Sequence, residues 1–205
     1  MNNKGLLIVV SGPAGAGKGT VNAELLKTGE FAYSVSATTR APRPGEVDGV
    51  NYHFISREEF LDRLQNGGML EHTEYCGNFY GTPRREAEEV LESGKNLILE
   101  IEVDGAMQVK QKFPEAILIM LLPPSFAEQE ARLRGRATET EDKILARLEQ
   151  ARNEIPLMPK YDYVVYNREG GAQACAEDIL AIIRAERCAT RRHATDAEDY
   201  FRGTV

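Results

Sequence analysis

The sequence predicts an α/β protein: a parallel-sheet core flanked by helices, with an inserted subdomain and a short lid. Three observations lead there. Leu6 to Val10 is a continuous apolar run with glycine close on either side, the pattern of a strand buried on both faces of a parallel sheet. Similar runs recur at Leu97 to Val103 and Ala116 to Leu122, and Tyr161 to Tyr166 supplies a late strand. Helical stretches such as Ser125 to Arg134 and Glu141 to Glu154 lie between them, and strands alternating with helices are the mark of crossover connections.

With 205 residues and 42% apolar content, one sizeable core suffices, so residues 1–205 are expected to form a single domain. Its core comprises 1–33, 95–133 and 146–187. Residues 34–94 differ, being richer in Thr, Tyr, Arg and Gly, with short candidate strands at Tyr52 to Ile55 and Met69 to Tyr75, and they read as an insertion. A second insertion, a lid at about 134–145, holds the polar stretch GRATETED, and polar loops on a rigid core often carry function. The tail, 188–205, is charged and poorly patterned, which predicts a frayed helical end.

The 25 basic and 32 acidic side chains give a formal charge of −7, which argues against broad adhesion to nucleic acid or anionic membrane. Any phosphate site must be a local cluster. Cys76, Cys175 and Cys188 form no CxxC pair, and His53, His72 and His193 are scattered, so no residue set is spaced to ligate a metal. The run Leu6 to Val10 is too short for a signal segment or a membrane span, and the expectation is a cytoplasmic protein.

After the first strand comes GPAGAGKGT, made of Gly12, Pro13, Ala14, Gly15, Ala16, Gly17, Lys18, Gly19 and Thr20, and then the helix-forming run VNAELLK. Strand, loop, helix is the context a phosphate loop requires. Glycines let backbone N–H groups converge on phosphate oxygens, the helix presents its positive end, and the lysine reaches the β- and γ-phosphates of ATP. A plain turn would need neither the lysine nor the spacing. Gly19 stands where a hydroxyl would ordinarily ligate Mg²⁺, with Thr20 one place later, so Mg²⁺ is expected to be held by ATP oxygens and water rather than by protein ligands. Thr20 would then hydrogen-bond a phosphate.

A phosphate loop does not name the acceptor. Arg40 and Arg43 lie three residues apart in SATTRAPRPGE (Ser36 to Glu46), and guanidinium forks suit a phosphate dianion. That motif, followed by DGVNYHF, by EYCGNFYGT (Glu74 to Thr82) and by RLRGRATETE (Arg132 to Glu141), resembles guanylate kinases in an ordered set extending to about residue 187. The resemblance implies a P-loop nucleoside monophosphate kinase that transfers a phosphoryl group from ATP to GMP, and to dGMP, with Mg²⁺ as cofactor. It also implies that Tyr52 and Tyr80 join Arg40 and Arg43 on the acceptor phosphate, and that Ser36, Glu71, Thr82 and Glu102 face the base. Glu71 is the discriminating choice. A carboxylate accepts from guanine N1–H and the 2-amino group side by side, whereas adenine offers it a bare lone pair, and such a site can reject an unmatched analogue by about 10⁴ to 10⁵.

By the same resemblance Arg132, Arg136 and Arg147 come from the lid and its hinge helix to meet the phosphates, and Asn167 contacts the adenine nucleotide. Lys18, Arg43, Arg136 and Arg147 are assigned to transition-state charge, since phosphoryl transfer needs positioning and electrostatics rather than a general base. Glu100 could order metal-bound water, or serve only as a buried strand acid. Glu102 is often aspartate in the family, Ala137 often glycine, and Arg168 often acidic. Taken singly, several of these residues have plainer readings: Tyr52 and Tyr80 as strand aromatics, Arg40 and Arg43 as surface charges, Glu71 as a strand-end acid, Arg147 as a partner of Asp142 or Glu149. Two other functions remain open at this point. One is a non-catalytic guanylate-kinase-like interaction module; the other is a kinase of a phosphorylated sugar.

Overall fold

The computed structural model describes residues 4–75, 77–135, 140–193 and 201–202. The chain opens with β1 (Leu7–Ser11), α1 (Lys18–Leu26) and a short β2 (Phe31–Tyr33). There follow β3 (Ala37–Thr38), β4 (His53–Phe54), α2 (Arg57–Gln65), β5 (Met69–Tyr75), β6 (Asn78–Pro83) and α3 (Arg84–Glu92). Next come β7 (Asn96–Glu100), α4 (Val103–Lys112), β8 (Ile117–Leu122), α5 (Phe126–Gly135) and α6 (Glu141–Glu154). A 3-10 turn (Ile155–Lys160), β9 (Tyr163–Tyr166), α7 (Ala172–Arg187) and a second 3-10 turn (Thr190–Arg192) complete the described elements.

The central sheet runs β2-β7-β1-β8-β9 with every pairing parallel, as the continuous apolar runs predict. Alternation along β1 divides the core. Ile8 and Val10 face one side and pack with Val21 and Leu25 of α1 and with Ile179 and Ile183 of α7. Leu7 and Val9 face the other, against Ala87 and Leu91 of α3 and Ala106 and Val109 of α4. Because both faces are covered, neither face of β1 carries a polar side chain before Ser11. All parallel strands place their carboxyl ends at one edge, and the glycine-rich turn, Glu100 and Asn167 all lie at or just beyond those ends.

The second sheet runs β4-β3-β6-β5, with β3 parallel to β4 and the other pairs antiparallel. It has its own small core, in which Phe60 of α2 stacks on Phe79 of β6 with ring centroids 5.3 Å apart, next to Ala37 and Met69.

Several elements differ from the sequence reading. The strand expected over Leu97 to Val103 ends at Glu100, because Glu102 is the N-cap of α4 and Val103 is already helical. The three-residue β2 is too short to show a period and was not anticipated. Within the expected insertion 34–94, the second sheet ends at Pro83, and α3 places Ala87 and Leu91 in the core of the central sheet. The tail is not simply frayed. Arg192 donates to the buried Glu186 at 3.0 Å and to the Glu115 carbonyl at 3.0 Å, docking the start of the tail against the amino end of β8. Residues 136–139 of the lid and 194–200 and 203–205 of the tail lie outside the described residues.

Candidate active site

At the end of β1 the chain turns back under itself, and two glycines are required there. A Cβ on Gly12 would lie 2.1 Å from the Leu121 carbonyl oxygen, so only glycine permits the close passage over β8. Gly17 has φ +89°, and its Cβ would fall 2.4 Å from Asn167 Nδ2. Gly17 is also the N-cap of α1 and provides no side-chain cap, so the first-turn amides are directed at whatever anion the loop receives. Lys18 Nζ lies back across the turn and donates to the Gly12 carbonyl at 2.5 Å. Gly19 and Thr20 are exposed on the first turn of α1.

The loop is braced from behind by two buried amides. Asn167 Nδ2 donates to the Ala16 carbonyl at 2.9 Å, and Gln129 Nε2 donates to the Ala14 carbonyl at 2.9 Å. Asn167 Oδ1 in turn accepts from the Cys175 thiol. The Asn167 side chain, expected on the adenine nucleotide, is thus hydrogen-bonded at both ends within the protein, one end to the phosphate loop. Arg132 is similarly engaged, donating to the Asn167 carbonyl at 2.8 Å and pairing with Glu128, rather than standing open on the lid.

In the second sheet the Arg40 guanidinium lies 5.6 Å from the Tyr52 ring centre and 5.7 Å from that of Phe54, while Tyr52 and Tyr80 meet edge-on at 6.0 Å. Glu46 closes one edge of the Arg40 fork, accepting from Nη1 at 3.0 Å and Nη2 at 2.8 Å, and takes the Arg43 backbone N–H at 2.6 Å. Those contacts, Arg40 first, hold the Glu46 carboxyl below the ordinary carboxylate range. Arg43 itself is exposed. Glu46, at the end of the SATTRAPRPGE motif, stands three residues after Arg43, and that spacing is the local signal for its role.

Glu71 is a buried carboxylate, 4% exposed. The register of β5 against β6 shifts between Met69 and His72, and this irregularity aims Glu71 inward. Thr82 of β6 donates its hydroxyl to Glu71 Oε1 at 2.8 Å. Burial pushes the Glu71 carboxyl up, against the pull of the Thr82 hydroxyl and amide and of Lys112. Ser36 is half-buried just ahead of β3, and Glu102 is exposed at the N-cap of α4 without capping it.

Glu100, at the end of β7, ties α1 to β2: its Oε2 accepts from Asn22 Nδ2 at 2.9 Å and from the Tyr33 hydroxyl at 3.0 Å. A Cβ on Gly19 would lie 3.8 Å from the same oxygen. Among the described residues, no group of three His, Cys, Asp or Glu side chains could hold a metal ion.

On the lid side, Arg134 bridges α5 and α6 through Glu130 and Glu141. Arg147 is half-buried on α6, and Arg136 lies outside the described residues. At the end of α6, burial pushes the Glu154 carboxyl up, Gln150 at 2.6 Å pulls it back, and Glu102, Lys18 and Asp104 are the charges it feels. That buried acid escaped the sequence reading.

A family model described as guanylate kinase matches residues 4–180. The guanylate kinase of Halalkalibacterium halodurans is 54% identical over 190 residues, covering 92% of each chain. That of Streptococcus thermophilus is 52% identical over 194 residues, covering 94% of this chain and 92% of the relative. Among solved structures, guanylate kinase from Anaplasma phagocytophilum superposes with a TM-score of 0.70 at 36% identity, covering 91% of this chain and 88% of that one.

Proposed function

This chain belongs to the guanylate kinase family, and from that premise we propose how its residues divide the work. It is a nucleotide kinase that phosphorylates GMP to GDP at the expense of ATP. The interaction-module and sugar-kinase alternatives are not favoured.

The observation that carries the assignment of the acceptor site is Glu71: a carboxylate buried to 4% exposure, held by Thr82, in the subdomain that also carries the Arg40 fork. A buried acceptor-only group is costly unless a ligand supplies donors, and guanine supplies two. Arg40, Arg43, Tyr52 and Tyr80 hold the acceptor phosphate, while Ser36, Thr82 and Glu102 complete the base site. By the same resemblance dGMP is a second acceptor. The loop from Gly12 to Thr20 cradles the ATP phosphates through backbone amides, and ATP draws Lys18 away from the Gly12 carbonyl. Asn167 and Arg132 serve the ATP side, Asn167 by holding the Ala16 carbonyl of the loop and Arg132 by holding the Asn167 carbonyl.

Transfer itself is in-line, with the acceptor phosphate oxygen attacking the γ-phosphorus of ATP. Lys18, Arg43, Arg136 and Arg147 neutralise the charge spread over the migrating group. Mg²⁺, carried on ATP oxygens and water with Glu100 ordering its water shell, would add to that neutralisation. Closure of the lid excludes water, which would otherwise compete as acceptor. No helix among the described residues is long and apolar enough to cross a membrane, and the reading places the reaction in the cytoplasm with its soluble substrates.

The test is a panel of GMP, AMP, CMP and UMP under steady-state conditions with Mg-ATP. GMP alone is expected to turn over efficiently; absence of turnover with GMP overturns the proposal.

A further inference from the structure

Gly105 is the third residue of α4, one turn after Glu102. Its φ is not in the left-handed region, so the helix itself has no need of a glycine there, and glycine is among the poorest helix formers. Space is what it provides. A Cβ on Gly105 would stand 2.9 Å from Glu71 Oε2, 3.3 Å from Ile101 Cδ1 and 3.5 Å from Glu71 Cδ. The carboxylate thus occupies the volume that any other side chain at 105 would fill.

Neither backbone can easily give way. Glu71 is buried and its Oε1 is held by Thr82. The residue after it, His72, is clamped to α4 at both backbone groups: its N–H donates to Gln108 Oε1 at 3.2 Å and its carbonyl accepts from Gln108 Nε2 at 2.9 Å. Helix and strand are locked at one spacing, so an added methyl group would be absorbed by the carboxylate.

We infer that Gly105 is a specificity-determining position, a positioning residue that seats Glu71 against the guanine edge by leaving room for it. The inference rests on the reading of Glu71 as the base-binding carboxylate. A methyl at 105 turns the carboxylate away from the plane in which it accepts both N1–H and the 2-amino group. GMP then loses more than IMP, which lacks the 2-amino group and already forgoes one of the two bonds.

The experiment compares Gly105→Ala, Glu71→Gln, Glu71→Asp and the double variant Gly105→Ala/Glu71→Asp. Gly105→Ala is expected to melt at or above the wild-type temperature and keep its KM for ATP. Its kcat/KM for GMP should fall by about tenfold or more, and its preference for GMP over IMP should shrink. In the Glu71→Asp background, where the shorter acid has withdrawn, the added methyl should cost nothing further. Wild-type selectivity in Gly105→Ala, equal losses for GMP and IMP, or strictly additive effects in the double variant would overturn the inference. Should Glu71→Gln keep full selectivity, the reading of Glu71 itself fails; should it lose selectivity while Gly105→Ala does not, only the role of Gly105 falls.

Discussion

Glu71→Gln is expected to weaken GMP use and strengthen the fold at once. The Thr82 hydroxyl and amide both donate to the carboxyl group at 71. In the variant they fix the amide oxygen on their own side, which turns the NH₂ toward the base. Guanine N1–H and the 2-amino group then meet a donor instead of an acceptor. Two charge-assisted hydrogen bonds are lost, about 1.5–3 kcal/mol each, or about 3–6 kcal/mol together, which is about 10² to 10⁴ in kcat/KM. The stability effect has the opposite sign. Burial raises the Glu71 pKa above the ordinary carboxylate range, so the folded state binds the proton more tightly than the unfolded state. The stability linked to this group is full below the unfolded pKa and is lost as pH rises through the folded one. At neutral pH the ionised acid therefore opposes folding, and the amide removes that opposition. Steady-state kinetics with GMP and melting curves at neutral and acid pH measure the two effects. A kcat/KM for GMP within about threefold of wild type, or a variant that melts below wild type at neutral pH, would refute the reasoning.

Three other perturbations address the supports of the site. Gly17→Ala forces a side chain into a left-handed conformation, about 1–2 kcal/mol, and its Cβ, 2.4 Å from Asn167 Nδ2, breaks the bond to the Ala16 carbonyl, about 1–3 kcal/mol more; urea unfolding should show the sum, and ATP binding should weaken. Glu46→Gln loosens the Arg40 fork and should raise KM for GMP while leaving KM for ATP unchanged, as initial-rate measurements with each substrate varied would show. Arg192→Ala withdraws a donor at 3.0 Å from buried Glu186, and should lower unfolding free energy by about 1–3 kcal/mol with kcat unchanged. Burial pushes the Glu186 carboxyl up, but Tyr163, Arg191 and Arg192 outweigh it and hold the pKa below normal. Its contribution is therefore present above the unfolded pKa and fades as pH falls through the folded one, so the Arg192→Ala deficit should shrink in acid.

The core strands were legible because β1, β7 and β8 are apolar on both faces, and such segments have no stable place except inside a covered parallel sheet. α6 was legible from its apolar period, and its bounds agree with the expectation at both ends. What escaped was short or long-range. Three residues of β2 hold too little pattern to separate from loop, and the apolar face of α3 does not say which sheet it will cover.

The site divides along the same line. The glycine-rich turn and its lysine can be read from the chain because their spacing is local: a strand, a turn and a helix within twenty residues. The sequence by itself thus determined the sheet, the loop and the residue types available for two nucleotides. Only the tertiary structure decided that Asn167 holds the Ala16 carbonyl from 151 positions away, that Glu46 closes one edge of Arg40, and that Gly105 leaves the space Glu71 occupies. The physical reason is that burial and close approach are properties of pairs, and no pattern along one strand or one helix records which distant atom will fill the gap beside it.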